Sequence, residues 1–250
     1  MSLLVAAWVV LSAAPGSARI PAGPYQPFFV EAGPADAGFA APPPAQVPAF
    51  RLDVRPVTQA EYLEFVRATP AWRRSRTPPV FADPGYLASW EGDLALAAGT
   101  EKQPVTEVSW FAARAYCRWK GASLPTTAQW ERAAAEQGAG AEAVNAQILE
   151  WYARPNSTAR RDAGSGAANR YGVRDLHGLI WEWVLDFNEA LVGSDVRDAQ
   201  GKEVQLFCGG GSARASNPAD YAAYMRFAFR SSLRASYTVR NLGFRCARTP

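Results

Sequence analysis

Three stretches of the chain carry a helical period, and each begins at a residue suited to cap a helix. Thr58 precedes Gln59-Ala60-Glu61, so Glu61 completes a capping box, and Tyr62, Phe65 and Val66 share one face before Pro70 stops the run. Ser109 opens a second helix in which Ala112, Ala115, Tyr116 and Trp119 keep helical spacing and Gly121 supplies the stop. Thr126 opens the third, with Gln129 closing another capping box and Trp130, Ala133 and Ala134 turned inward. Strand patterns are short. Phe50 to Val54 is one and Glu203 to Cys208 another, with one further helix expected around Tyr221 to Arg230. Residues 31–48, rich in Ala, Pro and Gly, read as a loop, residues 73–103 as a long surface excursion, and residues 138–170 as mostly loop. No strand–helix–strand alternation is present, so a doubly wound sheet is excluded and the pattern predicts an α+β domain with much coil.

Composition agrees with one domain. A chain of 250 residues with 48% hydrophobic positions buries a full core as a single unit, and neither repeats nor strict heptads interrupt it. Its 20 Gly and 19 Pro account for the irregular stretches, and its nine Trp, nine Tyr and twelve Phe predict an interior of large rings. The net charge of +3 is too small, and the arginines too scattered, for a nucleic-acid footprint. The densest basic run, Arg73-Arg74-Ser75-Arg76, is expected to be a solvated loop.

The amino terminus bears on compartment. Leu3 to Ala14 is an apolar stretch too short to span a bilayer, and it ends in Pro15-Gly16-Ser17-Ala18, with small residues where a signal peptidase needs them. This predicts a signal peptide over residues 1–18, a mature domain over residues 19–250, and a periplasmic or secreted protein. The n-region has no Lys or Arg, and a buried amino-terminal strand is the alternative. No other segment could span a membrane. Three cysteines fit an exported protein with one disulfide and one thiol, or a cytosolic one with three thiols.

Eight strings in order resemble the sulfatase-modifying-factor domain of the formylglycine-generating enzymes. They are Pro56-Val57-Thr58-Gln59-Ala60-Glu61-Tyr62, Pro104 to Trp110 leading into Ala115-Tyr116-Cys117-Arg118-Trp119, and Leu124-Pro125-Thr126 with Gln129-Trp130-Glu131. Tyr171-Gly172-Val173, Trp181-Glu182-Trp183, Gly210-Gly211-Ser212, Arg230-Ser231-Ser232 and Asn241-Leu242-Gly243-Phe244-Arg245-Cys246 follow, and the match covers roughly residues 20–248. The resemblance implies an irregular relative of the C-type lectin fold. It also implies an oxidase that converts a sulfatase cysteine to formylglycine on a copper ion held by two thiolates, ligands soft enough for Cu(I). Here the first of those positions is Ala215, and residues 216–229 contain no cysteine. Copper chemistry by that route is excluded.

The resemblance assigns further roles. Cys117 and Cys246 match positions that are disulfide-bonded in some relatives, and Trp183, Ser212 and Asn241 match groove-lining residues, with Arg230 in a neighbouring motif. Glu182 resembles a calcium ligand, although Leu179 replaces a neighbouring asparagine oxygen. Outside the family pattern, Cys208, His177 and Met225 form a copper-friendly trio if they converge, and otherwise Cys208 is a core thiol. With one histidine, histidine-rich zinc sites and the His-Glu-x-x-His protease helix are excluded. No Gly-x-Ser-x-Gly elbow supports a triad, and Gly209-Gly210-Gly211-Ser212 lacks the lysine of a phosphate loop.

Two classes of function follow. The first is a noncatalytic accessory or binding protein for another exported protein or peptide, as in family members that accompany copper nitrite reductases or act as periplasmic immunity proteins. The Asp175 to Trp183 string most resembles the nitrite-reductase-associated subgroup. The second is an oxidoreductase with chemistry independent of the cysteine pair, as in the pyoverdine-maturing branch. Lectin-like sugar binding rests on fold analogy alone.

Overall fold

The computed structural model describes residues 16–28, 44–135, 146, 148–151, 160–188 and 218–250. All three capped helices form where their signals place them: α1 (Gln59–Ala68), α2 (Trp110–Trp119) and α3 (Thr127–Ala134). The Thr58 hydroxyl accepts from the Glu61 amide while the Glu61 carboxylate accepts from the Thr58 amide, and Thr126 and Gln129 repeat this exchange on α3. These bonds satisfy amides that a helix start leaves unpaired. Gly121, past the end of α2, has φ +65°, a conformation open to glycine without a Cβ penalty.

Three small sheets surround these helices. β1 (Ser17–Ile20), β4 (Phe50–Asp53) and β7 (Ala247–Arg248) form an antiparallel sheet in the order β1-β4-β7. β2 (Gly23–Tyr25) pairs with β3 (Ala45–Val47), and β5 (Trp181–Glu182) runs parallel to β6 (Leu242–Gly243). A Cβ on Gly243 would collide with the Val105 carbonyl, so glycine is required for this approach. The final helix, α4, spans Pro218–Ser231 and replaces the shorter helix expected there. With no helix among the described residues long and apolar enough to cross a membrane, no span is assigned.

One expectation needs correction. Ala45–Val47, read as loop, is a strand, because a three-residue strand beside prolines offers no period to detect. Residues 148–151 form a short helical piece within the stretch expected to be mostly loop, and residues 160–170 contain neither helix nor strand. The strand expected at 203–208 lies outside the described residues. The boundary expected after Ala18 falls inside β1, where Ser17 to Ile20 pair with Asp53 to Phe50.

The core is an aromatic cluster between α1, α2 and the carboxy-terminal strands. Tyr62 stacks on Tyr116 at 5.7 Å, and Phe244 meets Tyr116 edge-on at 5.3 Å. Beside them, a disulfide joins Cys117 of α2 to Cys246, just before β7, with both residues fully buried. The helix is thereby tied covalently to the central sheet.

Candidate functional site

Glu131 gathers two distant parts of the chain onto its own helix. It is 2% exposed on α3. Its Oε2 accepts from the Tyr25 hydroxyl at 2.8 Å and the Phe28 amide at 3.0 Å, while its Oε1 lies 2.9 Å from Nη1 of Arg230 and 3.6 Å from Nε of Arg226. The adjacent Arg132 donates to the Pro21 and Pro24 carbonyls. Two neighbouring residues of one short helix therefore hold the amino-terminal segment, and Glu131 also holds α4. Burial, and then the Glu131 charge and hydrogen bond, push the Tyr25 phenol well above its ordinary pKa. Tyr25 is a hydrogen-bond donor here and not a base.

These residues border an open cleft of about 300 Å³. Tyr25, Thr127, Glu131, Asp186, Phe187 and Arg230 line it. Thr127 and Glu131 stand one turn apart on α3, and Asp186 and Phe187 follow β5. Asp186 Oδ1 accepts from the Thr127 amide at 2.7 Å and its hydroxyl at 2.9 Å, so this carboxylate sits at the amino end of α3. Both carboxylates of the cleft are thus committed to neighbours, and none of its described lining residues is a cysteine or histidine. The arrangement offers polar contacts beside aromatic walls, which is binding chemistry.

The expected groove residues divide. Arg230 lines the cleft, where it pairs with Glu131. Trp183 does not line it: 1% exposed, it donates from Nε1 to the Val108 carbonyl at 2.8 Å and packs behind Phe187 at 5.1 Å. Asn241 is half-buried away from the lining, with its carbonyl accepting from the Trp181 amide. Ser212 and Ala215 lie outside the described residues.

The expected metal ligands are placed differently. Both oxygens of Glu182 are taken: Arg245 Nη2 lies 2.7 Å from Oε1, and Arg245 Nε and Trp130 Nε1 each lie 2.8 Å from Oε2. Glu182 and Arg245 side chains are fully buried, so the guanidinium supplies the positive charge that the calcium reading assigned to an ion. His177 faces a cavity of about 10 Å³, about the space of one water molecule, that Arg226 also lines. Arg226 lines the same cavity as His177, and a guanidinium there opposes a cation at the imidazole, while Met225 is half-buried on α4. Cys208 lies outside the described residues. Among the described residues no group of three or more His, Cys, Asp or Glu is poised to hold a metal.

Glu131 and Arg245 stand in the sequence only as members of family strings, and Tyr25 and Asp186 belong to none of them. A charged residue directly after a large ring, Glu131 after Trp130 and Arg245 after Phe244, is the signal for the first two, since a charge taken into a core needs a buried partner. Nothing in the sequence marked Tyr25 or Asp186.

His177 makes a pH prediction. Burial first, and then the Arg226 charge, lower its pKa to about 3, against a partial opposing effect of the hydrogen bond with the Ala134 backbone. The unfolded chain takes up this proton near pH 6.5, so stability is intact above that value and erodes as pH falls from there toward about 3. By pH 5 the loss from this group should reach about 2 kcal/mol. Urea unfolding of the parent and His177→Gln at pH 7 and pH 5 should show a smaller pH loss for the variant; equal losses would refute the assignment.

A sequence profile of the Sulfatase-modifying factor enzyme 1-like domain matches residues 10–250. Formylglycine-generating enzyme of Streptomyces coelicolor is 30% identical over 285 aligned positions, covering 93% of this chain and 88% of that protein. Inactive C-alpha-formylglycine-generating enzyme 2 of Mus musculus is 28% identical, covering 79% of this chain and 74% of that protein. Hercynine oxygenase of Mycolicibacterium smegmatis is 34% identical over 160 residues, which are 55% of this chain and span only 37% of that relative's length.

Proposed function

The chain belongs to the Sulfatase-modifying factor enzyme 1-like domain family, and from that premise we propose that it is an exported binding or accessory protein. Its cleft between α3, α4 and the segment after β5 would hold part of another exported polypeptide. Formylglycine formation on copper is not its activity.

The observation that carries this reading is a count of thiols. The chain has three cysteines, and Cys117 and Cys246 are consumed in the buried disulfide. One thiol remains, and one thiol cannot make the two-thiolate copper site that the family resemblance implies. Export is supported by the apolar stretch from Leu3 to Ala14 and by the disulfide itself, a bond that persists in oxidising compartments. A second reading, an oxidoreductase with other ligands, draws on the likeness to hercynine oxygenase. With one histidine in the chain, any metal site it used would hold at most one imidazole.

The test is turnover of a sulfatase-type peptide containing Cys-x-Pro-x-Arg, incubated with the purified protein, copper and oxygen and read by mass spectrometry. The cysteine is expected to stay unmodified. Conversion above a heat-inactivated control would overturn the proposal. Metal content of the natively exported protein tests the metal-dependent form of the second reading, which a stoichiometric redox metal would favour.

A further inference from the structure

We infer that the face formed by α2 and residues 70–81 docks an acidic, extended segment of a partner polypeptide. The first observation is exposed aromatic area. Val80, Phe81 and Trp119 are 69%, 43% and 40% exposed, and they are three of the four exposed large hydrophobic residues among those described. Their positions are linked. Phe81 packs on Phe111 at 5.5 Å and on Trp72 at 6.2 Å, and Trp72 reaches Trp119 through Phe65, with ring separations of 6.4 and 5.7 Å. Phe65 is itself buried, so the link from Trp72 to Trp119 runs beneath the surface, while Phe111, Ala115 and Trp119 share one side of α2 by their helical spacing.

Charge supplies the second observation. Residues 70–81 contribute Arg73, Arg74 and Arg76, while residues 110–120 contribute Arg114, Arg118 and Lys120. Neither stretch contains an Asp or Glu. The guanidinium of Arg114 lies 5.0 Å from the Trp110 ring centre and the ammonium of Lys120 lies 5.1 Å from that of Trp119. Carboxylates answer part of this cluster: Glu64 on α1 lies close enough to act on Tyr116 of α2, and Asp93 stands on a neighbouring turn. Asp93 accepts from the Ser75 amide and hydroxyl, and those bonds, with the charges of Arg73 and Arg76, hold it below the usual carboxylate range. A large positive excess remains beside exposed rings, on a chain whose net charge is only +3.

Arginine and tryptophan together mark the energetic centres of polypeptide interfaces, and arginine forks match carboxylates. The face also leads into the cleft. Phe111 packs on Trp110 at 5.5 Å, and Trp110 packs on Phe187 of the cleft wall at 5.9 Å. A single extended chain can follow that track, whereas a nucleic-acid duplex or a bilayer cannot enter the cleft. The inference rests on the cleft reading only for the occupant being a polypeptide.

The experiment titrates the full chain with a fluorescent peptide of about 20 residues that interleaves Glu with Phe and Leu. The same peptide with Lys for Glu, a single-stranded oligonucleotide and phosphatidylglycerol vesicles are compared with it. Saturable binding of the acidic peptide is expected, weakened about tenfold or more by Arg114→Glu with Arg118→Glu and, separately, by Trp119→Ala. Circular dichroism confirms that these surface variants fold. Unchanged binding in both variants, or binding of vesicles or oligonucleotide as tight as that of the peptide, would overturn the inference. Ala128→Trp, which fills the cleft, separates the two readings. If it alone weakens the peptide, the face fails and the cleft stands; if only the face variants do, the face stands by itself.

Discussion

Arg245→Met is expected to destabilise the fold by about 3–5 kcal/mol, the largest effect of any single replacement considered. The guanidinium has no exposure and donates to five oxygens: both of Glu182 and the carbonyls of Asp53, Val54 and Arg174. It therefore pins the β4 end, the segment before β5, and β5 itself against the chain that precedes β7. Methionine fills much of the volume but leaves Glu182 as a buried carboxylate with Trp130 as its remaining hydrogen-bond donor. That uncompensated charge, more than the lost attraction, is the source of the cost. The double replacement Arg245→Met with Glu182→Leu removes both charges and should recover a good part of the loss. Urea unfolding of the parent, single and double variants checks this. A single variant within about 1 kcal/mol of the parent would refute the buried pair.

Replacing Cys117 and Cys246 together by Ser should cost about 5 kcal/mol in the chain-entropy description, because the two residues are 129 apart and their bond closes a loop of that size in the unfolded chain. Both sites are fully buried, so each serine also brings a hydroxyl into the ring cluster. Domains of this size are stable by about 5–15 kcal/mol, so the double variant should unfold at a far lower denaturant concentration or fail to accumulate. Denaturant titration with and without reductant measures the same quantity on the parent. A midpoint insensitive to reductant, under conditions where the thiols are shown to be reduced, would contradict it.

Local signals account for the success of the helix reading. Thr58, Ser109 and Thr126 each accept from a backbone amide three residues on, a short-range bond that needs nothing from the rest of the chain. The strands were harder. β5, β6 and β7 have two residues each and exist because distant segments pair, as when Trp181 meets Leu242. Periodicity cannot report a partner that lies so far away. The site shows the same division. Arg230 could be named from a motif, but its pairing with Glu131, and the convergence of Tyr25 on the same carboxylate, are tertiary facts. Glu182 makes the same point: its charge is legible in the sequence, but its buried pairing with Arg245, 63 residues away, is a tertiary fact.

The account turns on which cysteines are available. Alkylation of the natively exported protein under denaturing, non-reducing conditions, followed by peptide mapping, tests it most directly. It predicts that Cys208 alone is modified and that one linked peptide joins Cys117 to Cys246, leaving no second thiol for a thiolate pair. Modification of all three cysteines, or a bridge from Cys208 to either partner, would contradict it.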